Sequence, residues 1–133
     1  MKYLIVFIIF LSSGSSYINP TQEFYDTPDP GVVDDGNYFY AATTSGWDSS
    51  YFPIWQSKDM TDWKQVGWGI IKENKPVWSD RDFWAPEIHI INNLYFLYYA
   101  ARDKTGHLCI GVGYSDRPQG PSTHSANPLL RNE

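Results

Sequence analysis

Short aromatic and β-branched runs, bounded by turn residues, dominate the apolar pattern of this chain. Asn37-Tyr38-Phe39-Tyr40-Ala41-Ala42-Thr43 is one such run, and Asp34-Asp35-Gly36 before it is a strong hairpin turn. Ile88-His89-Ile90-Ile91 leads through Asn92-Asn93 into Leu94-Tyr95-Phe96-Leu97-Tyr98-Tyr99-Ala100, which again reads as strand, tight turn, strand. No window of eleven or more residues carries an apolar period of 3.6, so the predicted helix content is low. The fold class expected is all-β.

The two hairpins share an offset. Pro28-Asp29 matches Pro86-Glu87 at 58 residues, Tyr38-Phe39 matches Tyr95-Phe96 at 57, and Ser57 matches Ser115 at 58. Three anchors at nearly one spacing point to an internal repeat of about four short strands per copy. Chance likeness between two aromatic hairpins is the alternative. Repeated four-stranded units describe a β-propeller, and this chain holds about two blades of one. Two blades cannot close a ring, and each would leave an apolar face uncovered. The tail Asn127-Pro128-Leu129-Leu130-Arg131-Asn132-Glu133 reads as a loop entering another strand. The chain is therefore expected to be the opening portion of a longer one, or a truncated gene product.

The N-terminus has a different character. Lys2 precedes the apolar run Tyr3–Leu11, and Ser12-Ser13-Gly14-Ser15-Ser16 follows it. A charged start, an apolar stretch too short to span a bilayer and a small-residue exit are the pattern of a secretory signal peptide. Residues 1–16 are read as that signal and 17–133 as the partial propeller domain; a buried N-terminal strand is the alternative. The expected location is extracellular, with no membrane attachment after cleavage.

Composition narrows the chemistry. Six Trp, 10 Tyr and 7 Phe make 17% of the chain aromatic, which suits half-buried pleated surfaces and the flat faces of sugars. A net charge of −5 rules out a polybasic surface for nucleic acid or anionic membrane. The one cysteine, Cys109, lies in the apolar run Leu108–Val112, where a buried, inert thiol is expected. His89, His107 and His124 are too far apart for metal-ligand spacing, so neither a metal nor another cofactor is expected.

Two segments could carry chemistry. In Thr27-Pro28-Asp29-Pro30-Gly31 the prolines restrict Asp29, and the residue before a proline is pushed toward extended geometry. A carboxylate preorganised at the start of an inner strand, facing the propeller axis, suits general-base work. An ordinary turn is the bland reading. In Asp82-Phe83-Trp84-Ala85-Pro86-Glu87-Ile88-His89, Trp84 and Glu87 fall at the repeat position of Asp29 and should approach the same funnel from the neighbouring blade. An indole beside a carboxylate can form a sugar platform; the alternative is inter-blade packing for Trp84 and a hydrogen-bonding role for Glu87.

These residues, with Asp35-Gly36-Asn37-Tyr38-Phe39-Tyr40, Trp55-Gln56-Ser57-Lys58-Asp59-Met60-Thr61-Asp62-Trp63 and Asn93-Leu94-Tyr95-Phe96-Leu97-Tyr98-Tyr99, closely resemble glycoside hydrolase family 43 in order and spacing. The resemblance runs from about Asn19 to Pro128, less than half of the family's domain. It implies a five-bladed propeller that hydrolyses arabinans, xylosides and related plant polysaccharides with inversion. It implies that Asp29 is the general base and that Trp84 lines the pocket of the sugar being cleaved. In the family a second aspartate tunes the acid and a glutamate in a later blade protonates the leaving oxygen; by the repeat, both fall after Glu133. Inverting hydrolysis needs two carboxyl groups roughly 6.5–9.5 Å apart, and Glu87 does not correspond to the acid. The chain alone is thus expected to be inactive. Other readings are a secreted carbohydrate-binding propeller without catalysis, and an interaction protein using the propeller as scaffold. The loop Ser45-Gly46-Trp47-Asp48-Ser49-Ser50-Tyr51-Phe52 is expected to border the pocket.

Overall fold

The computed structural model describes residues 27–132. The signal-peptide reading of residues 1–16, and the start of the family resemblance near Asn19, lie outside the described residues.

Ten strands and one 3-10 turn, Lys72–Asn74, make up the described fold. The first sheet contains β1 (Gly31–Asp34), β2 (Phe39–Ala42), β3 (Gly46–Trp47), β4 (Ser50–Ser57) and β5 (Lys64–Ile70). Its strands β1, β2, β4 and β5 pair in chain order, and the short β3 adds to the start of β4. The second sheet contains β6 (Ser79–Ile91), β7 (Leu94–Asp103), β8 (Leu108–Ser115), β9 (Thr123–His124) and β10 (Leu130–Arg131). Here β6, β7, β8 and β10 pair in chain order, with β9 added to β8. All pairings are antiparallel. Two antiparallel meanders of four strands, laid one after the other, are two propeller blades.

The repeat is visible in the turns. Asp34 faces Phe39 across the first hairpin, where the Asp35 carboxylate accepts from the Asn37 and Tyr38 amides and Gly36 takes φ +88°. Ile91 faces Leu94 across the second, and Asn92 and Asn93 both have positive φ, as a tight two-residue hairpin turn requires. Ser57 closes β4 and Ser115 closes β8. The copies differ mainly at β6, whose thirteen residues extend well before the part that matches β1.

The core lies between the sheets. Along β7 burial alternates, so Leu97, Tyr99 and Ala101 face the first blade. Phe52, Ile54 and Ile70 meet them from the other side, and all belong to one apolar cluster. Burying a side chain of this size contributes about 1.5–3 kcal/mol. The Phe52 ring lies 5.2 Å from Tyr99 and 6.1 Å from Phe83, and Trp78 stacks on Tyr99 at 6.3 Å. Burial pushes the Tyr99 hydroxyl far above its usual pKa. Cys109 is buried and free, and burial raises its thiol, as expected for an inert core cysteine.

A polar clasp joins the blades at their outer side. The Gly69 carbonyl in β5 accepts from the Ser122 amide at 3.0 Å and lies 3.3 Å from His124 Nε2. A carbonyl only accepts, so Nε2 carries the proton and Nδ1 accepts from the Tyr99 hydroxyl at 3.2 Å. Burial lowers the His124 pKa to about 4, so the imidazole is neutral at pH 7. The opposite face of the second sheet carries Phe96, whose ring meets those of Tyr98 and Tyr114, with Tyr114 exposed.

Candidate active site

The hairpin register decides what Asp29 faces. Gly31 pairs with Ala42, and the same register carried two residues outward sets Asp29 against Thr44. The Thr44 amide donates to the Pro28 carbonyl at 2.8 Å, and the Thr44 hydroxyl donates to Asp29 Oδ2 at 2.9 Å. Asp29 is solvent-exposed. Its φ is +52°, in the left-handed region, not the extended geometry expected of a residue before proline. The two bonds to Thr44 override that local preference. Aspartate tolerates this conformation better than most residues, and strain of this kind collects at functional sites.

β6 explains the position of Trp84. Arg81 pairs with Arg102, Trp84 with Ala100 and Glu87 with Tyr98, so each step sets three residues against two on β7. Two β-bulges therefore flank Trp84, with Asp82 at φ +57° and Ala85 at +47°. Bulges of this kind re-aim side chains and release backbone amides from the ladder. The amide of Ala85 donates to Thr44 Oγ1 at 2.7 Å. Asp29 is thus joined through one hydroxyl to the residue after Trp84, across the boundary between the blades.

Trp84 remains 40% exposed, enough for its ring to receive a ligand. The Arg102 guanidinium lies 5.8 Å from the ring centroid and is fixed by Asp82 Oδ2 at 3.0 Å and the Gly106 carbonyl at 2.8 Å. Its neighbour Phe83 points the other way, buried and stacked on Tyr51 at 4.0 Å. Glu87 is exposed on β6, and its Oε2 lies 3.2 Å from where a Cβ on Gly31 would stand. That brings Glu87 beside the strand that Asp29 opens.

The loop after Thr44 folds into the β3–β4 hairpin, turning through Asp48 and Ser49, both with positive φ. It stands at the Asp29 end of the sheet and holds Trp47 out at 80% exposure. An open groove lies at the other end of the blade, between Tyr38, Gln56, Lys58 and Asp62. It is one strand length from Asp29, and no residue of the Asp29 cluster lines it.

Neither Thr44 nor Arg102 stands in a motif that marks it in the sequence. Thr44 was within reach, because the hairpin turn fixes the register and the register places it opposite Asp29. Arg102 gave no signal, since its partner Asp82 is brought to it only by the bulges. Among the described residues, Asp59 and Asp103 have strongly lowered pKa values, and neither contacts this cluster. At Asp103 burial opposes ionisation, but hydrogen bonds from Thr105, His107 and Arg131 outweigh it and tie β10 to the β7–β8 turn. Among the described residues no group of three or more His, Cys, Asp or Glu is placed to hold a metal ion.

Comparison with known proteins gives a consistent result. Residues 17–130 match glycosyl hydrolases family 43. The chain is similar to xylosidase/arabinosidase 43A of Humicola insolens, with 38% identity over 60 residues, 45% of this chain and 18% of that protein. It is also similar to an extracellular endo-α-(1→5)-L-arabinanase of Thermotoga petrophila, with 26% identity over 95% of this chain and 30% of the relative. Among solved structures, a thermostable family-43 glycoside hydrolase superposes with a TM-score of 0.78 at 33% identity, over 86% of this chain and 37% of its own. The GH43_1 enzyme from Xanthomonas citri complexed with xylose shares the fold at a TM-score of 0.68 and 24% identity, over 77% of this chain and 33% of its own. The chain spans well under half the length of each of these proteins. It belongs to glycosyl hydrolases family 43.

Proposed function

We propose that this chain carries the general-base half of an inverting glycosidase site acting on xylan- or arabinan-type chains. Asp29 is the base. Its Oδ2 is tied to Thr44, and Oδ1 has no hydrogen-bond partner among the described residues, which leaves it free to take a proton from an attacking water. Trp84 offers an indole face to the sugar, and Glu87 accepts from a sugar hydroxyl at the same rim. The observation that carries this reading is the hydrogen-bonded path from Asp29 through Thr44 to Ala85, which joins the carboxylate to the aromatic platform.

Inversion also needs a protonated carboxyl on the far side of the glycosidic oxygen. In this reading that acid comes from further blades of the family fold, packed against the Phe96–Tyr114 face of the second sheet. Residues 1–16 direct export, a reading favoured by the extracellular description of the Thermotoga relative. The substrate class follows the xylosidase and arabinanase relatives.

The test uses aryl β-D-xylosides and aryl α-L-arabinofuranosides. The purified 133-residue chain is expected to give no detectable hydrolysis, whereas a polypeptide carrying it with the remaining blades hydrolyses at least one of them. In that longer form Asp29→Asn lowers kcat by about 10²–10⁴-fold. Retained activity in Asp29→Asn would overturn the base assignment.

A further inference from the structure

Thr44 lies between the two blades, and its hydroxyl bonds to one group from each. Its single hydroxyl proton goes to Asp29 Oδ2 at 2.9 Å, and one of its lone pairs takes the Ala85 amide at 2.7 Å. Its own amide is committed to Pro28. A hydroxyl that already accepts from a backbone N–H is oriented to donate, and the acceptor facing it is the carboxylate. The Ala85 amide is available only because the bulge at Ala85, with φ +47°, takes it out of the ladder to β7.

We propose that Thr44 is the positioning residue of this site, and that it transmits the setting of the Trp84 bulge to the Asp29 carboxylate. This rests on the reading of Asp29 as base. The bond to Oδ2 holds the carboxyl plane at fixed orientation and leaves Oδ1 as the oxygen that meets water. Because the anchor is the amide next to Trp84, the sugar platform and the base keep one spacing when the blades shift against each other. A water placed between them would be aligned for attack without further ordering.

The experiment compares Thr44→Val, which has the same shape without the hydroxyl, with Thr44→Ser, which keeps it. Both are made in the 133-residue chain with ¹³C,¹⁵N labelling, and the Asp29 Cγ resonance and Ala85 amide resonance are followed by NMR. Thr44→Val is expected to move both signals and Thr44→Ser to restore both. Should the valine variant not fold, Thr44→Ala carries the same expectation. A residue with a purely packing role would disturb the neighbourhood without this hydroxyl dependence. An Asp29 Cγ signal unchanged in Thr44→Val, or not restored by Thr44→Ser, overturns the proposal. The readout is geometric and independent of turnover. Failure of the base assignment, read from hydrolysis by Asp29→Asn, is therefore distinguishable from failure here.

Discussion

At Gly31 the backbone of β1 runs directly against Pro86 in β6. A Cβ built on Gly31 would collide with the Pro86 carbonyl oxygen and stand 2.9 Å from Glu87 Cα. The obstacle is backbone and cannot rotate away, so only glycine allows the inner strands of the two blades this approach. Gly31→Ala is expected to destabilise the chain by about 1–3 kcal/mol, the usual cost of overpacking. A lowered urea midpoint at unchanged slope would check it.

Trp84 is held by its bulges and by Arg102, but it is not part of the buried core. Trp84→Ala should therefore weaken affinity for xylo- or arabino-oligosaccharides about tenfold, the scale of one good aromatic contact. The melting temperature should move by no more than a few degrees. A large melting shift with unchanged affinity would return Trp84 to the packing role.

His124 gives a pH signature. Its pKa is about 4 in the folded chain because burial disfavours the charged ring, against 6.5 as its ordinary value. Between these two pH values the unfolded chain binds a proton that the folded one does not, so stability falls as pH drops through this window. The loss from this ring is at most on the order of 3 kcal/mol. In His124→Gln the urea midpoint should fall less steeply between pH 6.5 and pH 4 than in the wild type.

Much of the fold was legible because turns and alternation are local. Asp34-Asp35-Gly36 and Asn92-Asn93 announce their hairpins, and the recurrence of Tyr-Phe and Ser at 57 and 58 residues marks two copies of one sheet. The β3–β4 hairpin is hidden in the sequence, since its Asp48-Ser49 turn lacks the usual glycine. The candidate cluster is different, because its linkage is not local. Asp29 and Trp84 are visible as types in a pattern. The left-handed backbone at Asp29 and the bulges around Trp84 are not, because they are imposed by contacts between blades distant in sequence.

The convergence of Asp29 and Trp84 is tested most directly by titrating the labelled chain with xylotriose and arabinotriose and following its NMR spectrum. The Trp84 indole N–H and the amides of Thr44 and Ala85 should shift together, with at least one of the two sugars, while Tyr38 and Lys58 at the far groove stay still. Shifts confined to the Tyr38–Asp62 groove, with the Trp84 indole silent at saturation, would contradict the account.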